Sequence, residues 1–80
     1  MNKSEIIEKV NDFLTNEIEI DKDLIAPEAL LTKDLGIDSL DVVDIIVIVE
    51  ETFGVKIKGE ELKTVKTLGE FYDFIESKLK

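Results

Sequence analysis

Residues 40–53 carry nine aliphatic or aromatic side chains in fourteen positions, interrupted by Asp41, Asp44, Glu50 and Glu51. No other segment constrains the fold as much. Set out at about 100° per residue, the run separates into two unlike sides of one helix. Val42, Ile45, Ile46, Val49 and Phe53 form a core stripe. Asp41, Asp44 and Glu51 lie opposite, with Glu50 on the flank and Leu40, Val43, Val47 and Ile48 among the acids. A chain of 80 residues has room for one small core, and only one side of a helix can face it. Several of these aliphatics are therefore expected in solvent, interleaved with carboxylates.

The ends of this helix are legible too. Asp38 is a good N-cap, Asp41 three residues on can return the favour, and Gly54 suits the position just past a helix end. Ser39 then occupies the first helical position, its hydroxyl free because Asp38 already caps. Unpaired backbone N–H groups and the positive end of the helix dipole are expected beside it, a setting that suits an esterified phosphate. The serine reads as an attachment point. A nucleophile needs an activating base, yet the chain has no His and no Cys, and no lysine lies between Lys33 and Lys56.

The remaining helices follow the same periodicity. The first is expected from about Lys3 to Glu17, with Ile6, Val10, Phe13 and Leu14 on one side and Asn2 with Glu5 as its cap. Ile18-Glu19-Ile20 has β-branched character but no hairpin partner, which argues against a strand. A connection of roughly twenty residues follows, long for a structureless loop. Leu24, Ile25, Leu30, Leu31 and Leu35 are expected to pin it to the core, and Pro27 to start a helical turn through Leu31. After Gly54 a loop leads to a short helix at Glu60–Lys63. The last helix starts near Thr67, capped with Glu70, and buries Leu68, Phe71, Ile75 and Leu79. The expected fold is all-α: a small four-helix bundle of three longer helices and one short third helix, with a long loop between the first two, forming one domain over residues 1–80.

A net charge of −9 disfavours nucleic acid and stable membrane binding and favours positively charged protein surfaces. The longest near-continuous apolar stretch, Ile45 to Val49, is too short to cross a bilayer. The first residues lead straight into an amphipathic pattern, so a cytoplasmic monomer without a signal segment is expected. Cysteine is absent, which removes disulfides and thiolate metal ligands, and no Asp-x-Asp-x-(Asp/Asn)-Gly calcium loop is present.

Asp34-Leu35-Gly36-Ile37-Asp38-Ser39-Leu40-Asp41, then Val42-Val43-Asp44 and Glu50-Glu51-Thr52-Phe53-Gly54-Val55, resemble the acyl carrier proteins of fatty acid synthesis. The resemblance extends to length, helix order and acidity. It implies that Ser39 carries 4′-phosphopantetheine taken from coenzyme A, whose thiol holds acyl groups as thioesters. The chain itself would then be a carrier without catalytic activity. The resemblance also implies that Asp38, Asp41, Asp44 and Glu51, with Leu40, Val43 and Val47, dock on basic patches. Those patches belong to a phosphopantetheinyl transferase and to fatty acid synthesis enzymes. An apolar pocket for the acyl chain is expected among Leu31, Ile46, Val49 and Ile57, together with Leu62, Leu68, Phe71 and Ile75. Ile57-Lys58-Gly59 departs from the Ile-Pro-Asp common in the family, and Val47 holds a position often occupied by methionine. Two alternatives stand beside this reading: a carrier for polyketide, peptidyl or D-alanyl transfer, and an acidic interaction module without a prosthetic group.

Overall fold

Asn2 opens the first helix as its side chain predicts, Oδ1 accepting from the Glu5 N–H at 2.9 Å. The computed structural model describes residues 2–79. Helix α1 spans Lys3–Asn16 and buries Ile6, Val10, Phe13 and Leu14. No strand follows it. Glu19 takes a φ of 62°, in the left-handed region, and the Ile20 N–H donates to the Leu14 carbonyl at 2.9 Å. That turn drops Ile20 into the core and leaves Ile18 half-buried at its edge.

The long connection is tied down by backbone pairing as well as by apolar anchors. A single 3-10 turn at Lys22–Leu24 is capped by Asp21, whose side chain accepts from the Asp23 N–H. Leu24 is 49% exposed, so it does not pin the loop as expected. Nor does Pro27 start a helical turn through Leu31. Its carbonyl is taken by the Gly69 N–H at 2.8 Å, and the Leu31 N–H donates to Lys66 at 2.9 Å. Leu30 forms an isolated antiparallel bridge with Thr67 instead. Pairing to a distant segment outcompetes the local helix. Gly69 makes that close crossing easy, since a Cβ there would sit 3.1 Å from the Pro27 oxygen and press on it. The buried anchors of the loop are Ala29, Leu31, Leu35 and Ile37.

Helix α2 spans Ser39–Phe53 and stops at Gly54, whose φ of 71° no other residue adopts as readily. Helix α3 spans Gly59–Leu62, one residue earlier than expected, because the Glu61 side chain accepts from the Lys58 N–H at 3.2 Å and fixes the start there. Helix α4 spans Leu68–Leu79. Thr67 and Glu70 cap its start reciprocally, and Glu70 also accepts from the Lys66 N–H at 2.9 Å.

Helix α1 packs against α4, and α3 against α2. Two ion pairs reinforce the arrangement: Lys3 with Asp73 between α1 and α4, and Lys78 with Glu61 at 2.6 Å between α4 and α3. The Lys78 partner, then the Lys58 N–H, holds the Glu61 carboxyl below the usual carboxylate range. Tyr72, which the α4 stripe omitted, is buried with its hydroxyl donating to Asn11 Oδ1, whereas Leu79 is only half-buried. Among the described residues there are four α-helices and no strand, and every fully buried side chain of the core is apolar apart from the Tyr72 hydroxyl. Truncating a core residue with no exposed surface, such as Leu14 to Ala, costs about 2–5 kcal/mol in such settings.

Candidate functional site

The approach to Ser39 is built by three short-range devices. Asp34 Oδ2 accepts from the Leu30 N–H at 2.8 Å and closes a turn on itself. Gly36 then takes a φ of 70°, and Leu35 and Ile37 on either side of it are buried. Those two plugs fix where the chain emerges. Asp38 follows in extended conformation and caps α2, its Oδ1 accepting from the Leu40 and Asp41 N–H groups at 2.9 and 3.0 Å. Asp41 Oδ2 accepts from the Asp38 N–H at 3.3 Å, completing a capping box.

Ser39 therefore stands exposed at the first helical position, and among the described residues its hydroxyl has no hydrogen-bond partner. One expectation needs correcting. The first-turn N–H groups are not open to a phosphate, because Asp38 takes those of Leu40 and Asp41, and the Val42 N–H donates to the Asp38 carbonyl at 3.1 Å. Only the Ser39 N–H is left. The Ser39 hydroxyl is thus presented to solvent.

Down the exposed side of α2, Leu40 is 77% exposed, Val43 60% and Val47 47%. Asp38, Asp44 and Glu51 are exposed beside them and Asp41 is half-buried. Among the described residues no lysine forms an ion pair with any of these carboxylates; both ion pairs lie elsewhere. The sequence reading also placed Ile48 among the outward aliphatics, but it is half-buried against the core. The result is an apolar strip edged by unneutralised acids, directly C-terminal to Ser39.

Beneath the strip lies an apolar cavity of about 160 Å³. Leu14, Leu31, Ile37, Val42, Ile45, Leu62, Val65 and Phe71 line it, with Thr32 and Lys63 as its polar members. Three of the residues expected at an acyl pocket are there: Leu31, Leu62 and Phe71. Five are not: Ile46, Val49, Ile57, Leu68 and Ile75. Val49 and Ile75 come one helical turn beyond Ile45 and Phe71 and have no exposed surface, so they belong to the closed-packed end of the core. Leu68, also without exposed surface, and Ile57 pack in the same core, while Ile46 faces Gly59 of α3. The space sits at the Ser39 end of α2, which one-dimensional periodicity has no means of indicating. An engineered apolar cavity of about 150 Å³ stays dry and admits benzene, so this volume suits a short hydrocarbon.

Among the described residues no group of three or more acidic, His or Cys side chains is placed to hold a metal ion. No helix among the described residues is long and apolar enough to cross a membrane.

Residues 5–75 match the family described as the phosphopantetheine attachment site. The chain is 43% identical to the acyl carrier protein of Thermosynechococcus vestitus over 79 residues, covering 99% of this chain and 98% of that relative. It is 38% identical to the acyl carrier protein of Thermotoga maritima over 77 residues, covering 96% and 95%. The fold superimposes on the crystal structure of an acyl carrier protein from Thermotoga maritima with a TM-score of 0.81 at 26% identity, covering 99% of this chain and 92% of that one. It also superimposes on the solved structure of the acyl carrier protein from Enterococcus faecalis with a TM-score of 0.78 at 28% identity, covering 98% and 99%.

Proposed function

The chain belongs to the acyl carrier proteins of the phosphopantetheine attachment family, and from that premise we propose that Ser39 is the residue that receives 4′-phosphopantetheine from coenzyme A. The observation that carries this reading is the reciprocal Asp38–Asp41 cap, which leaves the exposed Ser39 hydroxyl without a partner at the start of α2. When bound, the group supplies a terminal thiol on which acyl chains ride as thioesters. This chain's own residues present the serine, keep its surroundings open, and offer no base that would turn it into a nucleophile.

In the proposed cycle the carrier, acting as a monomeric single domain in the cytoplasm, shuttles acyl chains between fatty acid synthesis enzymes. Docking uses Asp38, Asp41, Asp44 and Glu51 for steering and Leu40, Val43 and Val47 for apolar contact. Weak, charge-steered association suits a carrier that must leave each enzyme quickly. The cavity under Val42 and Ile45 receives the first carbons of the cargo, each buried methylene gaining about 0.8 kcal/mol. Polyketide, peptidyl or D-alanyl transfer remains the alternative pathway for the same chemistry.

The test is intact mass after incubation with coenzyme A and a phosphopantetheinyl transferase. The wild type gains the mass of one arm and a new thiol, and Ser39→Ala gains neither. A Ser39→Ala protein that still acquires the arm overturns the assignment, since Ser4 and Ser77 lack the Gly-x-Asp-Ser-Leu setting.

A further inference from the structure

The apolar strip on α2 does not end at the helix edge. Val47 and Ile48 continue into an open groove of about 320 Å³, closed on its far side by Glu17 and Ile18 from the end of α1. Asp44 completes the lining. The turn after α1 creates this groove. With Glu19 at φ 62° and the Ile20 N–H bonded to Leu14, Ile20 turns inward and Ile18 is left half-buried facing α2. The floor is aliphatic, and the rim carries one carboxylate from the C-cap of α1 and one from α2. No lysine lines it, and neither Glu17 nor Asp44 has an ion-pair partner among the described residues.

That combination fits one kind of occupant. A long basic side chain has an apolar stem and a charged head, matching the floor and the rim respectively. Two carboxylates on separate elements favour the planar fork of arginine over the point charge of lysine. Asp44 follows Ser39 by five residues, about 7.5 Å along the helix axis, so the groove is within the span of an enzyme docked on α2 while it reaches the Ser39 hydroxyl. We infer that the groove between the end of α1 and α2 receives an arginine side chain from the phosphopantetheinyl transferase, which makes Glu17 and Ile18 part of its docking surface. The inference rests on the docking role proposed for α2 and extends it to a second helix.

Loading of the full-length apo protein by the transferase tests it, with kcat and KM measured separately. Glu17→Lys is the informative variant. A lysine at the C-terminal end of α1 complements the helix dipole, so this protein folds, and a melting curve confirms it. The expected result is a loss of about tenfold in kcat/KM, carried by KM, as for the loss of a charge contact at an interface. Ile18→Ser lowers kcat/KM without altering its salt dependence. Glu8→Lys makes the same charge change on an exposed part of α1, nine residues before Glu17, and changes kcat/KM less than about twofold. If Glu17→Lys behaves like Glu8→Lys while Glu51→Lys impairs loading, the groove has no such occupant and the α2 docking surface stands. If neither Glu17→Lys nor Glu51→Lys impairs loading, both are wrong.

Discussion

Asp38 and Asp41 cap each other across the first turn of α2, the Asp41 N–H donating to Asp38 at 3.0 Å and the Asp38 N–H to Asp41 at 3.3 Å. The residue between Asp38 and Leu40 is thereby relieved of structural duty. A serine that would normally be recruited as a cap is instead left exposed, with its hydroxyl free of capping. The same pair places two negative charges beside Ser39 and takes up the Leu40 and Asp41 amides, so on the reading proposed for Ser39 a tether there is mobile and not docked.

This division of labour sets the first prediction. Asp38→Ala removes the cap and lowers stability by about 1 kcal/mol. Ser39→Ala leaves the melting temperature close to that of the wild type. Urea unfolding of the two variants side by side measures the difference, and equal losses in both would mean that Ser39 shares the capping.

Glu19 is the one non-glycine residue with positive φ among those described. Left-handed backbone costs an ordinary L-residue about 1–2 kcal/mol relative to its preferred conformations. Glu19→Gly is therefore expected to stabilise the fold by up to about 1 kcal/mol, the gain being reduced by the extra freedom of glycine in the unfolded chain. Thermal or urea unfolding reads it directly, and a loss of stability would contradict the strained turn.

Charge reversal on α2 should act on association and not on folding. Asp44→Lys and Glu51→Lys are exposed and make no ion pair to lose among the described residues, so their melting temperatures hold or rise as repulsion falls. Their association rates with partner enzymes fall, most of all at low salt. Wild-type association weakens as salt shortens the screening length, about 8 Å at physiological ionic strength. Stopped-flow rates across a salt series check both, and rates that ignore salt and mutation alike would rule out steering by this face.

Glu70 links the start of α4 to pH. N–H bonds from Lys66 and then Thr67 hold its carboxyl below the ordinary value of 4.5. A carboxyl depressed in the folded state stabilises fully above its unfolded pKa, and that contribution is lost as pH falls through the folded value. The melting temperature of Glu70→Ala should therefore lie below the wild type at pH 7, and part of the gap should close as the solution is acidified below about pH 4.5. A gap constant with pH would show that the carboxylate charge plays no part in the cap.

Filling the cavity should limit cargo length. Ile45→Phe places a ring into the 160 Å³ space that Val42, Ile45 and Leu62 line. In the wild type, melting temperature is expected to rise with acyl length until the cavity is full. In the variant the rise stops at a shorter chain. A series of acyl-loaded proteins read by melting temperature checks this, and no dependence on length in either protein would place the chain outside the bundle.

Local signals were enough for the helices and for the exposed position of Ser39 at the start of α2. The caps at Asn2, Asp38 and Thr67, the stop at Gly54 and the 3.6-residue periodicity each act within one or two turns, so they can be read along the chain. The exposed strip of Leu40, Val43 and Val47 was also legible, because a helix in so small a domain has only one side to bury. What the sequence could not specify depends on which distant segments meet. The Pro27 carbonyl went to Gly69, and the Leu31 N–H to Lys66, so the expected helical turn gave way to long-range pairing. The burial of Tyr72 depends on Asn11 lying across from it, 61 residues away. Whether the cavity lay beside Val42 and Ile45 or further down by Val49 and Ile75 was decided by how α3 and the long loop close over α2. The groove at Ile18 brings the end of α1 beside Val47, next to the left-handed turn at Glu19, a juxtaposition of segments about thirty residues apart. Periodicity sets the side each residue presents, and packing between distant elements sets what that side meets.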